Sequence, residues 1–213
     1  MRSEQITEAV KKVLETSPQR GFEESVDLAI NLRNLDLTKP QNRIDEEILL
    51  PHTKGKPVKI AVFAKGDVAE MAKAAGADYV FDEKEIEALA NEPSRARSLA
   101  NEVNFFISET AYMPMIGRSL GRVLGPRGKM PEPLTPDKDI AQLINRARNS
   151  IKVRSKDRTT FHVSIGQRTM QPEKLAENVE SVITRMEQKL ERGAQNIRSV
   201  YIKTTMGPAV RVV

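Results

Sequence analysis

A chain of 213 residues with no cysteine and two histidines, His52 and His162, has room for one large domain or two small ones. It excludes a disulfide framework and a cysteine metal site, leaves little for a histidine metal site or a Ser-His-Asp triad, and holds no apolar run near the roughly 20 residues of a membrane span. Net charge is +5, but residues 1–110 hold 15 Lys/Arg against 20 Asp/Glu and residues 111–213 hold 19 against 9, an asymmetry that suits a polyanionic partner.

The N-terminus, MRSEQITEAVKKVL, carries acids and lacks an apolar centre, so it does not read as a secretory signal, and a cytoplasmic protein without a membrane partner is expected. Residues 3–15 are predicted as a helix, with Ser3 as N-cap, Ile6, Val10, Val13 and Leu14 at helical spacing, and Ser17-Pro18 as its end. From Phe22 to Leu32 the pattern alternates. Val26, Leu28, Ile30 and Leu32 face inward, and Ser25, Asp27 and Asn31 outward, as in a strand. A second strand, Ile44 to Leu50, is closed by Pro51, and His52-Thr53-Lys54-Gly55-Lys56-Pro57 has the composition of a linker.

The pattern then changes. Val58 to Ala64 is a nearly continuous apolar run, as in a buried parallel strand. Asp67 is expected to cap a helix from Val68 to Ala75 that Gly76 ends. A strand Asp78–Phe81, a helix Glu83–Ala90, a charged helix and a strand Phe105–Ile107 follow, and their alternation argues for a parallel sheet. A Gly- and Pro-rich stretch, Met113 to Pro136, holds a short helix around Ile116–Leu124, and Asp137 caps a helix from Ile140 to Asn149.

Period-2 alternation returns at Ile151. Ile151–Arg154 and Thr160–Ile165 flank Ser155-Lys156-Asp157-Arg158 and read as a hairpin. Pro172 starts a helix whose apolar face is Leu175, Val179, Val182, Ile183, Met186 and Leu190. In the strand that follows, Val200, Ile202 and Thr204 share one face, and Ser199, Tyr201, Lys203 and Thr205 the other. Met206-Gly207-Pro208 ends it, since proline has no N–H to donate and glycine admits a close neighbour. The second face is thus a row of hydroxyls and one cation ending at a bare backbone edge. It suits ribose 2′-hydroxyls and phosphates, and equally an edge strand whose polar residues are simply solvated.

The two ends of the chain share a helix-and-strand character that the middle lacks. The economical reading is one α+β domain, residues 1–54 and 151–213, interrupted by an inserted α/β domain, residues 55–150. The crossings near 53–56 and 149–152 form a double-stranded hinge at Thr53, Lys54, Ser150 and Ile151.

Among candidate chemistries, Gly117 to Pro131 combines glycine turns, whose amides would be free, with arginines and Lys129, and could sit against a phosphate backbone. It is not a Walker A loop: Gly125-Pro126-Arg127-Gly128-Lys129 has two residues between its glycines where that loop has four, and Met130 replaces its Ser/Thr. Ala64-Lys65-Gly66-Asp67 lacks the dinucleotide fingerprint. The acids Glu23-Glu24, Glu46-Glu47, Glu83 and Glu85 read as solvated, and His162 as packed or hydrogen-bonded rather than catalytic. Few aromatics argue against a stacking platform and for a folded, shaped RNA. No enzyme activity, cofactor or metal is expected. A small nucleotide-binding α/β enzyme and a protein-only scaffold are the competing classes.

Gly121-Arg122-Val123-Leu124-Gly125-Pro126-Arg127-Gly128-Lys129-Met130-Pro131 and Ser199-Val200-Tyr201-Ile202-Lys203-Thr204-Thr205-Met206-Gly207-Pro208 resemble segments of the L-one family, the first protein of the large ribosomal subunit. So do Leu50-Pro51-His52, Ala74 to Val80 and Pro172 to Asn178, in order over nearly the whole chain, with wording closer to archaeal than bacterial members. The resemblance implies a split α+β, ferredoxin-like domain that binds large-subunit rRNA and an inserted Rossmann-like three-layer α/β domain. It implies a monomer when free, a place on the mobile lateral stalk beside exit-site tRNA, help in releasing that deacylated tRNA, and repression of translation through its own mRNA. Carried over by motif, the main RNA contacts are Phe22, Ser199, Thr205, Met206 and Gly207, with Ser25 and Asp27 nearby. Gly121, Arg122, Gly125, Arg127 and Gly128 form a second, weaker contact. Arg20-Gly21 stands before Phe22 where the family commonly has a Lys-Phe pair, so a cation there reaches from a different angle.

Overall fold

The computed structural model describes residues 2–37, 39, 42–135 and 139–212; the expected cap Asp137, with Pro136, lies outside them. The chain divides into two compact units, Met1–Lys56 with Asn149–Val213, and Pro57–Arg148. No helix among the described residues is long and apolar enough to cross a membrane.

The first unit opens with α1 (Arg2–Thr16), β1 (Ser25–Leu32) and β2 (Asp45–Leu49). Ser3 is not a cap. It is itself helical and its carbonyl accepts the Thr7 hydroxyl at 3.0 Å, whereas an N-cap needs an extended backbone. β1 begins at Ser25, three residues after the expected start at Phe22.

The second unit holds β3 (Ile60–Phe63), α2 (Asp67–Ala74), β4 (Tyr79–Phe81), α3 (Glu83–Asn91), α4 (Pro93–Glu102), β5 (Phe105–Glu109), α5 (Met113–Ser119), α6 (Gly121–Leu124), β6 (Glu132–Leu134) and α7 (Ile140–Asn149). Its sheet runs β4-β3-β5-β6, and all its pairs are parallel. Alternation on β3 feeds a core on each face: Ala61 and Phe63 with Phe81, Phe106 and Ile116 on one, Ile60 and Val62 with Ile107 and Ile144 on the other. Phe63 lies 5.5 Å from Phe81 and 5.9 Å from Phe106, ring centre to ring centre. Such aromatic pairs add about 0.5–1.5 kcal/mol beyond burial.

Two local expectations fail here. Gly66, not Asp67, is the N-cap of α2, and Asp67 is already helical. The real cap box is on α3: the Asp82 carboxylate accepts from Glu85 N–H at 2.9 Å, and Glu85 accepts from Asp82 N–H at 3.0 Å. β6 falls in a stretch expected to be irregular. Its proline is tolerated because β6 is a sheet edge, where a missing N–H costs no ladder bond.

The chain returns to the first unit with β7 (Ser150–Arg154), β8 (Thr160–Gln167), α8 (Pro172–Lys189), β9 (Ile197–Thr204) and β10 (Ala209–Arg211). One sheet runs β10-β9-β1-β8, antiparallel throughout, and β2 pairs with β7 in a separate two-stranded sheet. The expected hairpin of β7 with β8 therefore does not form. Ser155 N–H bonds to the Ile44 carbonyl at 2.9 Å and Leu32 N–H to the Thr159 carbonyl at 2.8 Å, so the two strands leave their tip toward different partners. α1 and α8 supply Ile6, Val10, Val182 and Ile183 to one core with Leu28, Ile30, Val163 and Val200. Asn178 of α8, fully buried, accepts from His52 N–H at 3.0 Å and donates to the carbonyls of His52 at 3.1 Å and Ile165 at 2.9 Å.

Candidate nucleic-acid interface

Because α1 and α8 cover the apolar face of the four-stranded sheet, strand parity leaves a polar face opposite. Registry arranges it in three cross-strand rows: Ser164–Asp27–Lys203, His162–Ala29–Tyr201 and Thr160–Asn31–Ser199. His162, expected to be packed or hydrogen-bonded, is exposed there. Ser199 corrects its expectation too. It lies on the polar face but is buried, and its hydroxyl accepts Asn31 Nδ2–H at 2.8 Å while Thr160 Oγ1–H donates to Asn31 Oδ1 at 2.7 Å. A hydroxyl beside a longer polar side chain that donates to it is shielded from solvent.

At the other end of this face the chain turns through Thr205, Met206 and Gly207. The backbone here is not the bare edge expected. β10 pairs along β9 at Tyr201 to Lys203. Thr205 N–H and Oγ1 both donate to the Ser25 carbonyl, at 3.0 and 3.1 Å, and Oγ1 lies 3.5 Å from Asp27 Oδ2. Met206 N–H donates to Glu24 Oε1 at 3.0 Å, and Gly207 N–H to the Thr204 carbonyl at 3.1 Å. What the turn exposes is side chain, Met206 at 60% accessible, and Phe22 in the segment before β1 is 57% accessible.

Glu24 is the residue that sequence reading missed. Taken as solvated, it is 1% exposed. Arg168 reaches its Oε2 at 3.4 Å and also donates to the carbonyls of Leu14, Ser17 and Pro18, binding the end of α1 to the strand. Arg20 Nε is 3.7 Å from Glu24, and Arg20 donates to the Met206 carbonyl at 3.3 Å. One buried carboxylate thus holds the turn in place, with two guanidiniums to neutralise it. The readable signal was parity, since Glu24 shares the inward register of Val26, Leu28 and Ile30. Glu46 is likewise not free: Arg185 at 3.1 Å and Lys189 at 3.3 Å pair with it from α8.

The Asp27 carboxyl sits above its ordinary pKa because burial disfavours the anion; Lys203 and the Thr205 hydroxyl, then His162 and Ser164, oppose this only in part.

In the second unit the Gly121–Gly128 stretch is one helical turn, within the short helix expected around Ile116–Leu124, followed by a tight turn over residues 125–128, and the amides of its later glycines are spent internally. Gly125 N–H bonds to the Gly121 carbonyl, Gly128 N–H to Gly125 and Lys129 N–H to Leu124. Gly121 and Arg122 begin α6 and Gly125 ends it. A Cβ at Gly125 would lie 2.7 Å from the Gly121 oxygen, so this glycine serves the packing of the turn. Lys129 does not face outward. Its ammonium caps α4 through the carbonyls of Ala100 at 2.8 Å and Val103 at 2.6 Å, and burial, then Arg127, holds its pKa low. Arg127 donates to Asn101 Oδ1 and the Val123 carbonyl. Arg118, Arg122 and Arg127 are exposed.

Of the four hinge positions, Thr53 is exposed and Lys54 half-buried in a loop, but Ser150 and Ile151 are buried strand residues paired with Leu49 and Ile48. The crossings fall at Lys56/Pro57 and Arg148/Asn149, at the edges of the two expected ranges.

These features define a class: a mixed α/β protein built as two separately cored units, one with a polar sheet face and one with arginine-bearing helical turns. Comparison with known proteins narrows it. Residues 10–208 match the ribosomal protein L1p/L10e family, and the chain belongs to that family. It is 60% identical over 212 residues to the large ribosomal subunit protein uL1 of Methanocella arvoryzae, covering all of both chains. It is 60% identical over 213 residues to that of Methanosarcina barkeri, again over the whole of both, and 50% over 210 residues to that of Archaeoglobus fulgidus, covering 99% of this chain and 98% of the relative. The family is structural and non-enzymatic.

Proposed function

We propose that the protein is a structural constituent of the large subunit of the cytoplasmic ribosome that binds large-subunit rRNA through the polar face and turn of its first unit. Full-length similarity to relatives named as large-subunit proteins supports the ribosomal part of this reading. The observation that carries the RNA part is the Thr205–Gly207 turn, whose three N–H groups are all bonded internally while Met206 stands out to solvent beside a hydroxyl-bearing face. A pre-organised turn loses little entropy on binding, and a thioether can pack on a sugar or base. Asp27 and Thr205 accept or donate to ribose 2′-hydroxyls, and Phe22 adds a second exposed apolar contact. On this reading Ser199 acts through Asn31 at its rim, and Ser25 through its carbonyl, which holds Thr205.

In this reading the first unit is a split ferredoxin-like domain and the second an inserted Rossmann-like three-layer domain, joined by two strands at residues 53–57 and 148–151. The second unit makes the weaker contact from Arg122 and Arg127, with Gly121, Gly125 and Gly128 shaping the turn. The place is the mobile stalk, where the protein helps deacylated tRNA leave. The free protein is a monomer that represses its own mRNA by the same face.

The test is titration of the purified protein with a large-subunit rRNA stalk fragment over a range of salt, with bulk tRNA as competitor. Binding that survives competitor with a shallow salt slope, and weakens on Met206→Ala, is expected. Weak, steeply salt-dependent and indiscriminate binding would reduce the protein to a basic surface and sink the proposal.

A further inference from the structure

In the second unit a cleft of about 550 Å³ opens between α3–α4 and α5–α6. Its floor is lined by the nearly buried Leu89 and Ala96 on one side and by the nearly buried Leu120 and half-buried Val123 on the other, with Ser119 beside them. Four arginines rim it: Arg97 from α4, Arg118 from α5, Arg122 from α6 and Arg127 beyond. None of its lining residues is acidic, and among the described residues no carboxylate lies within ion-pair distance of any of the four. Elsewhere in this protein, arginines such as Arg168 and Arg185 find their carboxylates. Four like charges gathered without a counter-charge repel one another and await an anion. Arg127 is pre-set by its bonds to Asn101 and Val123, which use two of its five donors.

We infer that this cleft takes one unpaired nucleotide of an RNA strand, the base against this floor and the flanking phosphates on the arginines, an inference that rests on the RNA-binding reading above. The volume falls in the range of small-molecule sites, about 300–1,000 Å³. The floor carries no aromatic ring, so the guanidinium planes of Arg97 and Arg118 provide the stacking partner. A free nucleotide is the poorer fit. Such sites hold phosphate by backbone amides, and here the amides of Gly125, Gly128 and Lys129 are already bonded within the turn. Side-chain cations spread over three helices and a turn match successive phosphates of a chain. Arg97 and Arg118 are thereby added to the second contact.

The experiment uses the full-length protein, a stalk rRNA transcript carrying 4-thiouridine, and Arg97→Glu/Arg118→Glu, whose fold is checked by its melting temperature. Expected are photo-crosslinks to residues 89–97 or 118–123 in the parent. The variant loses them, binds on the order of tenfold more weakly at low salt and shows a shallower salt slope, while crosslinks to residues 199–207 persist. Parent binding with crosslinks only at 199–207, and an unchanged slope in the variant, overturns the cleft and leaves the main reading intact. Failure of the parent to bind at all removes the main reading and this one with it. Saturable micromolar binding of AMP or UMP, with RNA affinity indifferent to the variant, overturns RNA as the occupant.

Discussion

Gly207 has room for a hydrogen and little more. A Cβ there would stand 2.2 Å from Thr204 Oγ1 and 2.4 Å from Ser17 Oγ, both short side chains, and Thr204 is fully buried. The glycine is therefore required by the protein's own packing, whichever ligand meets its other side. Gly207→Ala should cost about 1–3 kcal/mol in urea unfolding, the usual penalty for overpacking, before any effect on RNA is read. Asp27 yields a pH signature. A carboxyl whose pKa is raised on folding favours the native state when protonated, and that contribution is lost as pH rises through the folded value. Asp27→Asn should thus be more stable than the parent at neutral pH, with the gap closing as pH falls below the ordinary carboxylate range. Urea midpoints from pH 3 to 8 check this, and a gap that widens toward acid would mean that Lys203, not burial, governs the site.

Among the elements, α8 depends on Asn178, whose amide closes the backbone of His52 and Ile165 inside the core. Asn178→Ala leaves those groups without their partner and should cost about 2–3 kcal/mol, measurable by calorimetry; a loss under half that would show that water replaces the amide. The turn after β9 depends on Glu24 in the same way. Glu24→Ala removes the acceptor of Met206 N–H and leaves Arg168 part-buried without its carboxylate. Slower amide exchange at Met206 in the parent than in this variant, together with weaker rRNA binding, is the expected pair of results. Fast exchange in both would mean that the turn is held by Thr205 and Ser25 alone.

For the whole molecule, one core in the first unit and two in the second, with no residue shared between the units, imply two foldable units. The first unit's chain ends are close, since Leu50 N–H bonds to the Asn149 carbonyl at 2.9 Å just before the crossings. Joining residues 1–56 to 149–213 by a short Gly/Ser linker should give a cooperatively unfolding protein that still binds the stalk fragment. A molten product would show that the insert completes the first core. The outline of this division was legible, because a nearly continuous apolar run at Val58–Ala64 differs in kind from the alternation at Val26–Leu32, and periodicity reports whether one or both faces of a strand are covered. Less legible were Ser150 and Ile151, read as hinge and found inside β7, because composition does not reveal which strand will claim a partner.

Sequence alone determined the faces within each strand: parity placed Asp27 with Ser25 and Asn31, and Tyr201 with Lys203, and the long helix from Pro172 was bounded by its own proline and apolar repeat. These are local properties with local causes. Only the tertiary structure decided that β7 pairs with β2 and not β8, that Glu24 lies buried beneath the turn, that Lys129 points inward, and that Arg97 joins Arg118 and Arg122 at one cleft. Each depends on groups far apart in the chain. Which distant partner a polar group finds is set by the packing of elements around it and by the cost of leaving it unpaired, neither of which a stretch of sequence contains.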